Sequence, residues 1–204
     1  MSQGRFITLE GIDGSGKSTQ AGRLAEHFRN GGIEVVETRE PGGAPGTERI
    51  RKLLVEGEPE AWSAETEILL FTAARRDHVE RTIAPALARG AWVVSDRFAD
   101  STRVYQGAAR AALRPMVDDL HALAIGLEPD CTLILDIDPN TALGRGLARG
   151  GTEDRFERFG ADFQARLRHG FLDLAEEYPD RCRVVDATGD PETVIARLKE
   201  AAER

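Results

Sequence analysis

The 204-residue sequence is poor in several features that mark other classes of protein. It has two cysteines, Cys131 and Cys182, and each opens an apolar run, which predicts small buried side chains rather than a disulfide framework or a metal site. The N-terminus shows no charged and then apolar signal pattern, and no apolar stretch approaches the roughly 18 residues of a membrane span. We therefore expect a cytoplasmic protein without a membrane partner.

Lysine is also scarce, occurring only at positions 17, 52 and 199, so most of the positive charge is arginine. The formal net charge of -8 argues against a nucleic-acid partner, because general nucleic-acid binders usually carry a basic excess. It does not exclude a small anionic ligand, since local arginines can outweigh a global deficit and suit planar contacts to phosphate. We expect most of the arginines to lie on solvated surface.

Strand-like and helix-like segments alternate along the chain. Short apolar runs predict strands at 6–9, 34–38, 92–96, 131–136 and 183–186. Apolar residues at helical spacing predict helices at 17–30, 64–87 with a kink near Pro85, 113–127, 141–147, 163–178 and from 191 to the C-terminus. This order implies one α/β domain over residues 1–204, with a parallel sheet covered by helices on both faces.

A glycine-rich loop lies between the first predicted strand and the first predicted helix. Residues 11–18 read GIDGSGKS and fit the pattern G-x-x-x-x-G-K-[ST] in the strand–helix context that supports it. Its glycines let backbone N–H groups turn toward phosphate oxygens, and the helix N-terminus adds positive potential. We expect Lys17 to reach the β and γ phosphates and Ser18 to ligate Mg²⁺. The predicted ATP-binding residues are Gly11, Ile12, Asp13, Gly14, Ser15, Gly16, Lys17, Ser18 and Thr19.

The rest of the sequence narrows the class of phosphate-loop protein. The only asparagines, Asn30 and Asn140, are not followed by lysine, so the guanine-reading motif of a GTPase is missing. The chain has no room for the extra domains of transport or recombination ATPases, although residues 133–136 resemble their magnesium-binding strand. Asp96 is the better second site, because the carboxyl ends of parallel strands meet at one sheet edge. There it would support Mg²⁺ directly or through water, beside Arg97 as a phosphate contact. A small kinase remains.

Five stretches resemble the thymidylate kinase family. They are FITLEGIDGSGKSTQ at 6–20, REPGG at 39–43, FTAARRDH at 71–78, SDRFADSTRVYQG at 95–107 and DRFE at 154–157. They follow the family's order over most of the chain, and the second and fourth together are quite specific. The resemblance implies a P-loop kinase fold with a five-stranded parallel sheet. It also implies transfer of the γ-phosphate of ATP to dTMP for dTTP synthesis, with Mg²⁺ as cofactor, and a homodimer.

The resemblance also implies roles for single residues. Phe71 would stack on the thymine ring and Arg75 would hydrogen-bond a base carbonyl, and residues four apart do share one helix face. Arg97 and Arg51 would clamp the acceptor phosphate, and Asp13 would approach it through Mg²⁺ or a water. The other expected pocket residues are Glu40, Ser101, Thr102, Tyr105 and Gln106.

One catalytic position departs from part of the family. Some members carry an arginine in the phosphate loop where this chain has Gly14, so the catalytic charge must come from elsewhere. Residues 145–158 are rich in arginine, contain glycines as possible hinges and join two predicted helices, which predicts a lid of the bacterial subclass with lid arginines. Within it Arg155 is the leading candidate for the catalytic arginine, and Arg149 and Arg145 are the next candidates. The expected catalytic residues are Lys17, Asp13, Arg97, Arg155 and Arg149.

Two alternatives stay open. A kinase for another nucleotide or a nucleoside would share every phosphate-handling residue and differ only in its base pocket. A nucleotide-binding switch without a second substrate is a different class, and it would need neither the Asp96–Arg97 pair nor the lid arginines. A purely structural role is the weakest of the options.

Overall fold

In a computed structural model, which describes residues 3–58, 60–110, 113–149 and 159–203 (backbone alone at 108–110 and 146–149), five strands form one sheet. All neighbouring strands are parallel, and their order is β2-β3-β1-β4-β5. The predicted sheet is confirmed, and each strand boundary agrees with the prediction to within one residue. The strands are β1 (Phe6–Glu10), β2 (Val35–Arg39), β3 (Trp92–Asp96), β4 (Cys131–Asp136) and β5 (Cys182–Asp186).

Helices connect the strands, and most were predicted from apolar spacing to within three residues. Two helical regions were not predicted: Pro45–Val55, and the stretch from Ala99 to Arg110, which continues from a short α-helix into a π-helical turn. The helices of the described ranges are α1 (Lys17–Asn30), α2 (Pro45–Val55), α3 (Ala64–His78), α4 (Ala84–Ala88), α5 (Ala99–Thr102), α6 (Arg114–Ala124), α7 (Pro139–Arg149), α8 (Ala161–Glu177) and α9 (Pro191–Glu203).

The kink expected near Pro85 has a structural counterpart just before that residue. A π-helical turn at Val79–Ile83 separates α3 from α4, and Pro85 lies in the first turn of α4. Proline cannot donate a backbone hydrogen bond, and its ring clashes with the preceding turn, so a widened turn lets the chain continue. The break leaves α3 as a separate segment whose last residue is His78.

Apolar residues pack against both faces of the sheet. Ile7 and Leu9 of β1 belong to the larger core cluster together with Leu24 of α1. Phe6, which alternates to the other face of the strand, packs in a second cluster with Ile83. The predicted two-sided cover is thus confirmed. Both cysteines are buried and free, as expected. None of the helices described has the length and apolar character that a membrane crossing requires.

The strand register brings three loops together at one edge of the sheet. Leu9 of β1 and Arg39 of β2 are both aligned with Asp96 of β3. The chain leaves these three strands into the glycine-rich loop, the REPGG loop and the segment that starts at Arg97. Because parallel strands end on the same edge, these loops face a common crevice.

Candidate functional site

The glycine-rich loop has the backbone conformation that its sequence predicts. Gly11, Gly14 and Gly16 have φ angles of 137°, 80° and 96°, a region that side chains other than glycine rarely adopt. Lys17 folds back along the loop and donates from Nζ to the carbonyl oxygen of Ile12 at 2.7 Å. Burial, followed by the nearby guanidinium of Arg97, lowers the pKa of Lys17 to about 8. The loop is therefore shaped around a buried cation at the start of α1.

Gly14 packs directly against α7. A Cβ atom added at Gly14 would lie 2.0 Å from the carbonyl oxygen of Ala142, which is far inside van der Waals contact. An arginine at this position, as some family members have, does not fit the arrangement of loop and helix seen here. The contact also joins the phosphate loop to the helix that leads into the predicted lid.

Ser18 and Asp96 meet beside the loop. Ser18 donates from Oγ to Asp96 Oδ2 at 2.5 Å, and Asp96 Oδ1 is buried without a hydrogen-bond partner among the described residues. A hydroxyl and a carboxylate with an unused buried oxygen fit a small hard cation. The described residues contain no cluster of three or more histidine, cysteine or acidic side chains that could enclose a metal. Mg²⁺ usually keeps only one or two carboxylates and takes its other ligands from phosphates and water.

Arg97 connects the glycine-rich loop to the end of β3. Arg97, Asp13 and Tyr105 form a hydrogen-bonded triad. Arg97 donates from Nη2 to Asp13 Oδ1 at 2.5 Å and to Tyr105 Oη at 3.1 Å, and Tyr105 donates to Asp13 Oδ2 at 2.9 Å. Burial alone would raise the pKa of Asp13, but the charges of Arg97 and Lys17 hold it below its usual range. Arg97 also has a φ of 72°, an uncommon conformation for a residue with a side chain.

Arg75 is held by three hydrogen bonds in the same crevice. Its Nε donates to Glu40 Oε2 at 2.8 Å, and its Nη2 donates to the carbonyl oxygen of Phe98 at 3.1 Å and to Thr102 Oγ1 at 3.0 Å. These bonds do not use Nη1. The guanidinium is almost fully buried and is paired with an equally buried carboxylate, so its orientation is fixed.

The side chains expected to bind the acceptor line one open pocket of about 670 Å³. It lies between α3, the REPGG loop and the segment after β3. Arg51 lies in α2, one of the two helical regions that were not predicted. It donates from Nη1 to the carbonyl oxygen of Pro41, another lining residue, at 2.5 Å. The nine expected residues that the pocket brings together are Glu40, Arg51, Phe71, Arg75, Arg97, Ser101, Thr102, Tyr105 and Gln106. Asp13, Pro41, Val55 and Phe98 complete its lining.

Comparison with known proteins agrees with this geometry. A family model described as thymidylate kinase matches residues 9–198. A thymidylate kinase from a Jannaschia species is 68% identical over 95% of this chain and 93% of its own length. One from Ruegeria pomeroyi is 62% identical over 97% of this chain and 93% of its own length. A crystal structure of thymidylate kinase from Ehrlichia chaffeensis, 35% identical, has a TM-score of 0.78 and coverage of 98% of both chains.

The chain belongs to the thymidylate kinase family. The match covers nearly the whole chain, so the family and the phosphotransferase class expected from the sequence are confirmed, together with the P-loop α/β fold. The GTPase and transport-type ATPase classes are excluded by the same match. The roles of single residues are a separate question, and they rest on the contacts described above.

The lid predicted at 145–158 lies largely outside the described residues. Arg155 is outside them, and Arg149 ends α7 with a side chain that is not described. Arg145 is exposed, and its Nη2 donates to the carbonyl oxygen of Gly189 at 3.4 Å. Gly189 belongs to the loop that follows β5. This contact brings the first lid arginine of the kinase to that loop.

Sequence reasoning gave no role to Glu10, which supports the segment after β3. Its Oε1 accepts from the backbone N–H of Phe98 at 2.7 Å, and its Oε2 contacts Ser101 Oγ at 2.6 Å. Burial, and then the nearby Asp100 carboxylate, raises the pKa of Glu10 to about 7. The signal available in the sequence was a lone acidic residue at the end of a strand that is otherwise apolar or small.

Proposed function

We propose that the enzyme transfers the γ-phosphoryl group of ATP to dTMP, giving dTDP and ADP, as a cytoplasmic step of dTTP synthesis. The observation that carries this proposal is the placement of the pocket around Phe71 and Arg75. That pocket opens beside the glycine-rich loop, and Arg97 lies between the two. Phosphoryl transfer requires the donor and acceptor phosphates to be held side by side with positive charge near them, and Arg97 is placed to supply that charge.

The pocket offers matching groups for each part of a deoxynucleotide. Phe71 supplies an aromatic face for a flat base, while Arg75 Nη1 would donate to a base carbonyl because the contacts of Nε and Nη2 fix the guanidinium. We place the sugar near Glu40. The ring of Tyr105 would lie against C2′ and disfavour a ribose hydroxyl. Ser101, Thr102 and Gln106 would complete the nucleotide pocket.

The transferring group would be surrounded by positive charge. Lys17 would hold the β and γ phosphates, and Arg97 would hold the acceptor phosphate with help from Arg51. Mg²⁺, held by Ser18 and Asp96 together with the nucleotide, supplies further positive charge to the phosphate oxygens when it is bound. Positioning and charge stabilisation carry most of phosphoryl transfer, and the acceptor phosphate is already ionised near neutral pH, so no strong general base is needed.

Asp13 has a different immediate role from the one first expected of it. The sequence places it near the acceptor phosphate through Mg²⁺ or a water. In the structure both of its oxygens are occupied by Arg97 and Tyr105. We propose that it first orients these two side chains, and that it approaches the acceptor phosphate from that position.

We also propose that residues 145–158 form a lid over the single domain of residues 1–204. On closure Arg155 would reach the transferring phosphoryl group, with Arg149 and Arg145 in support. Closure would exclude water and so suppress hydrolysis of ATP.

A homodimer is the assembly that we propose. Large apolar side chains are exposed on three helices, α2, α3 and α6, of which α3 packs against both of the others. Leu69 of α3 is 52% exposed and Leu123 of α6 is 86% exposed. Light scattering coupled to size exclusion would measure the assembly directly. A mass near twice 22.3 kDa supports a dimer, and a mass near 22.3 kDa refutes it.

The test of function is ADP release in a coupled assay with ATP, Mg²⁺ and one acceptor at a time: dTMP, dUMP, UMP, CMP, AMP or GMP. A preference for dTMP over dUMP and UMP is expected, because the pocket selects both the thymine and the deoxyribose. Activity with another monophosphate would keep the phosphoryl-transfer site and reject the assignments of Phe71, Arg75 and Tyr105. No acceptor-dependent release from folded, ATP-binding protein would favour a nucleotide-binding switch.

A further inference from the structure

His78 closes a chain of buried polar contacts that ends at Arg75. It is the last residue of α3 and has no exposed surface. Its Nε2 lies 2.7 Å from Thr38 Oγ1, and its Nδ1 lies 2.9 Å from Glu40 Oε1. The other oxygen of Glu40 accepts from Arg75 Nε at 2.8 Å. The chain therefore runs from Thr38 through His78 and Glu40 to Arg75.

The chemistry of the Glu40 carboxylate fixes the direction of these hydrogen bonds. Glu40 is paired with the Arg75 guanidinium, so it is held as a carboxylate that can only accept. His78 must then carry a proton on Nδ1 to bond to it. With Nδ1 protonated, a neutral imidazole has a bare Nε2, which accepts the hydroxyl proton of Thr38. Both Glu40 oxygens are engaged from different directions, so the carboxylate cannot rotate without losing one partner.

His78 also fixes the loop that carries Glu40. A Cβ atom added at Gly43 would lie 2.4 Å from His78 Nε2 and 2.4 Å from Thr38 Oγ1, so the loop backbone packs directly on this hydrogen bond. Thr82 holds the same glycine by donating from Oγ1 to its carbonyl oxygen at 2.9 Å. The REPGG loop is thereby clamped between β2 and the end of α3.

We infer that His78 is a positioning residue for acceptor recognition, acting through Glu40 on Arg75. Its Nδ1–H holds the carboxylate that orients the guanidinium toward the base. This inference rests on the proposed function, because it assigns His78 to the dTMP side of that same site. Phosphate binding should not depend on His78, because the phosphate-handling residues do not depend on the Glu40 carboxylate.

Two substitutions separate this role from a general role in folding. His78→Asn places its amide nitrogen near the position of Nδ1 and keeps a donor for Glu40, whereas His78→Gln places its amide near the position of Nε2 and keeps the contact with Thr38. We expect His78→Gln to raise the KM for dTMP about tenfold, as the loss of a hydrogen bond to a charged group would. His78→Asn should change it less than about threefold. The KM for ATP should stay close to that of the unaltered enzyme in both.

Thr38→Val is the matched control at the other end of the chain. It removes the hydroxyl without changing the size of the side chain, and it leaves Nδ1–H free to hold Glu40. We expect the KM for dTMP to change less than about threefold. Equal effects of His78→Asn and His78→Gln on that KM would overturn the inference, and so would an effect of Thr38→Val as large as that of His78→Gln.

A measurement on the unaltered protein covers the case in which the variants do not fold. Long-range ¹H–¹⁵N NMR spectra distinguish the two imidazole tautomers, and we expect His78 to be protonated at Nδ1. A bare Nδ1 overturns the inference. Failure of the proposed function would show separately, as unaltered protein that does not phosphorylate dTMP.

Discussion

The acceptor side and the donor side of the site are built differently. On the acceptor side, charged side chains are largely buried and paired with one another, Arg75 with Glu40 and Arg97 with Asp13. On the donor side, Arg145 is exposed and makes a long hydrogen bond of 3.4 Å. A buried pair keeps one geometry because breaking it leaves an unpaired charge, whereas an exposed contact exchanges with water at little cost.

The buried, paired side chains are therefore fixed in one geometry, whereas the exposed arginine is able to move. The acceptor pocket is organised before its ligand arrives, so a change there should affect stability and acceptor binding as well as turnover. On the donor side the exposed Arg145 is able to move with the proposed lid, so a change at the proposed lid arginines should affect turnover alone. Substitutions on each side, and at the contact between the glycine-rich loop and α7, test whether this division holds.

The largest effect is expected from Arg97→Ala. The substitution removes the proposed contact with the acceptor phosphate and leaves the Asp13 carboxylate without its ion pair, so we expect kcat to fall about 10⁴-fold and stability to fall by about 1–3 kcal/mol. Steady-state kinetics and urea unfolding measure the two effects. Arg97→Lys is the control, since it keeps the charge but loses the planar fork, and it should recover stability more than turnover. Near-normal turnover of Arg97→Ala would remove this residue from the site.

Arg155→Ala should give a smaller effect of a different kind. We expect kcat to fall about 10³-fold, as on loss of an arginine that contacts the transferring phosphoryl group, with a smaller change in the KM for ATP. The midpoint of urea unfolding should not change, which distinguishes this variant from Arg97→Ala. Arg145→Ala is the matched control on the same segment and should cost less. If Arg155→Ala has unchanged kinetics, the catalytic charge belongs to another lid arginine.

The pH dependence of stability is expected to identify Glu10 as a buried carboxyl of the acceptor side. Its pKa is raised to about 7 in the folded protein from 4.5, so the folded state binds the proton more tightly. The contribution of Glu10 to stability should therefore be greatest below pH 4.5. It should fall by roughly 3 kcal/mol in total as the pH rises to about 7.

Glu10→Gln tests that expectation, because an amide keeps the acceptor for Phe98 and offers a donor to Ser101 without titrating. Urea unfolding at pH 5 and pH 8 should show a smaller decrease in the free energy of unfolding for the variant than for the unaltered enzyme. The difference between the two proteins cancels the titration of groups that do not interact with Glu10; Lys17 does interact with it, so part of the difference includes a change in the Lys17 titration. Equal decreases in both proteins would show that Glu10 does not take up a proton in this range.

The sequence predicted the sheet well and some helices less well, for physical reasons. Buried parallel strands are short apolar runs, so the pattern locates them closely. The helix Pro45–Val55 was not predicted, because it begins with Pro45 and Gly46 just after the REPGG loop. Its buried apolar residues, Leu54 and Val55, come only at its end. The stretch Arg103–Arg110 was not predicted, because a π-helical turn does not keep the 3.6-residue period on which the prediction depends.

The candidate site was predictable where neighbouring residues form a motif. The glycine-rich loop and the expected pocket residues other than Arg51 lie in short matching stretches, and in the structure they line one crevice. The supporting contacts were not predictable, because they join residues far apart in sequence. His78 and Glu40 are separated by 38 positions, and Glu10 and Ser101 by 91. Pattern and spacing identify the side chains that face a ligand, but only the fold shows which carboxylates hold them.

The smallest effect tests the contact between Gly14 and α7, which joins the glycine-rich loop to the helix that leads into the proposed lid. Gly14→Ala should lower the stability of the nucleotide-free enzyme, because its Cβ would lie 2.0 Å from the carbonyl oxygen of Ala142 and one of the two elements must move. Gly16→Ala is the matched control: its φ is also positive, at 96°, but an added Cβ meets nothing within 4 Å. Backbone strain of about 1–2 kcal/mol is common to both variants, so only the clash separates them.

We expect Gly14→Ala to lose about 2 kcal/mol more than Gly16→Ala, as overpacking of a tight contact usually costs. Thermal unfolding without nucleotide measures this difference free of any effect on ATP binding. A clash at Gly14 that shifts α7 would also shift the start of the proposed lid. Gly14→Ala should therefore lower kcat, as Arg155→Ala does. Equal stabilities of the two glycine variants would mean that α7 yields freely, and the phosphate loop would then be uncoupled from the lid.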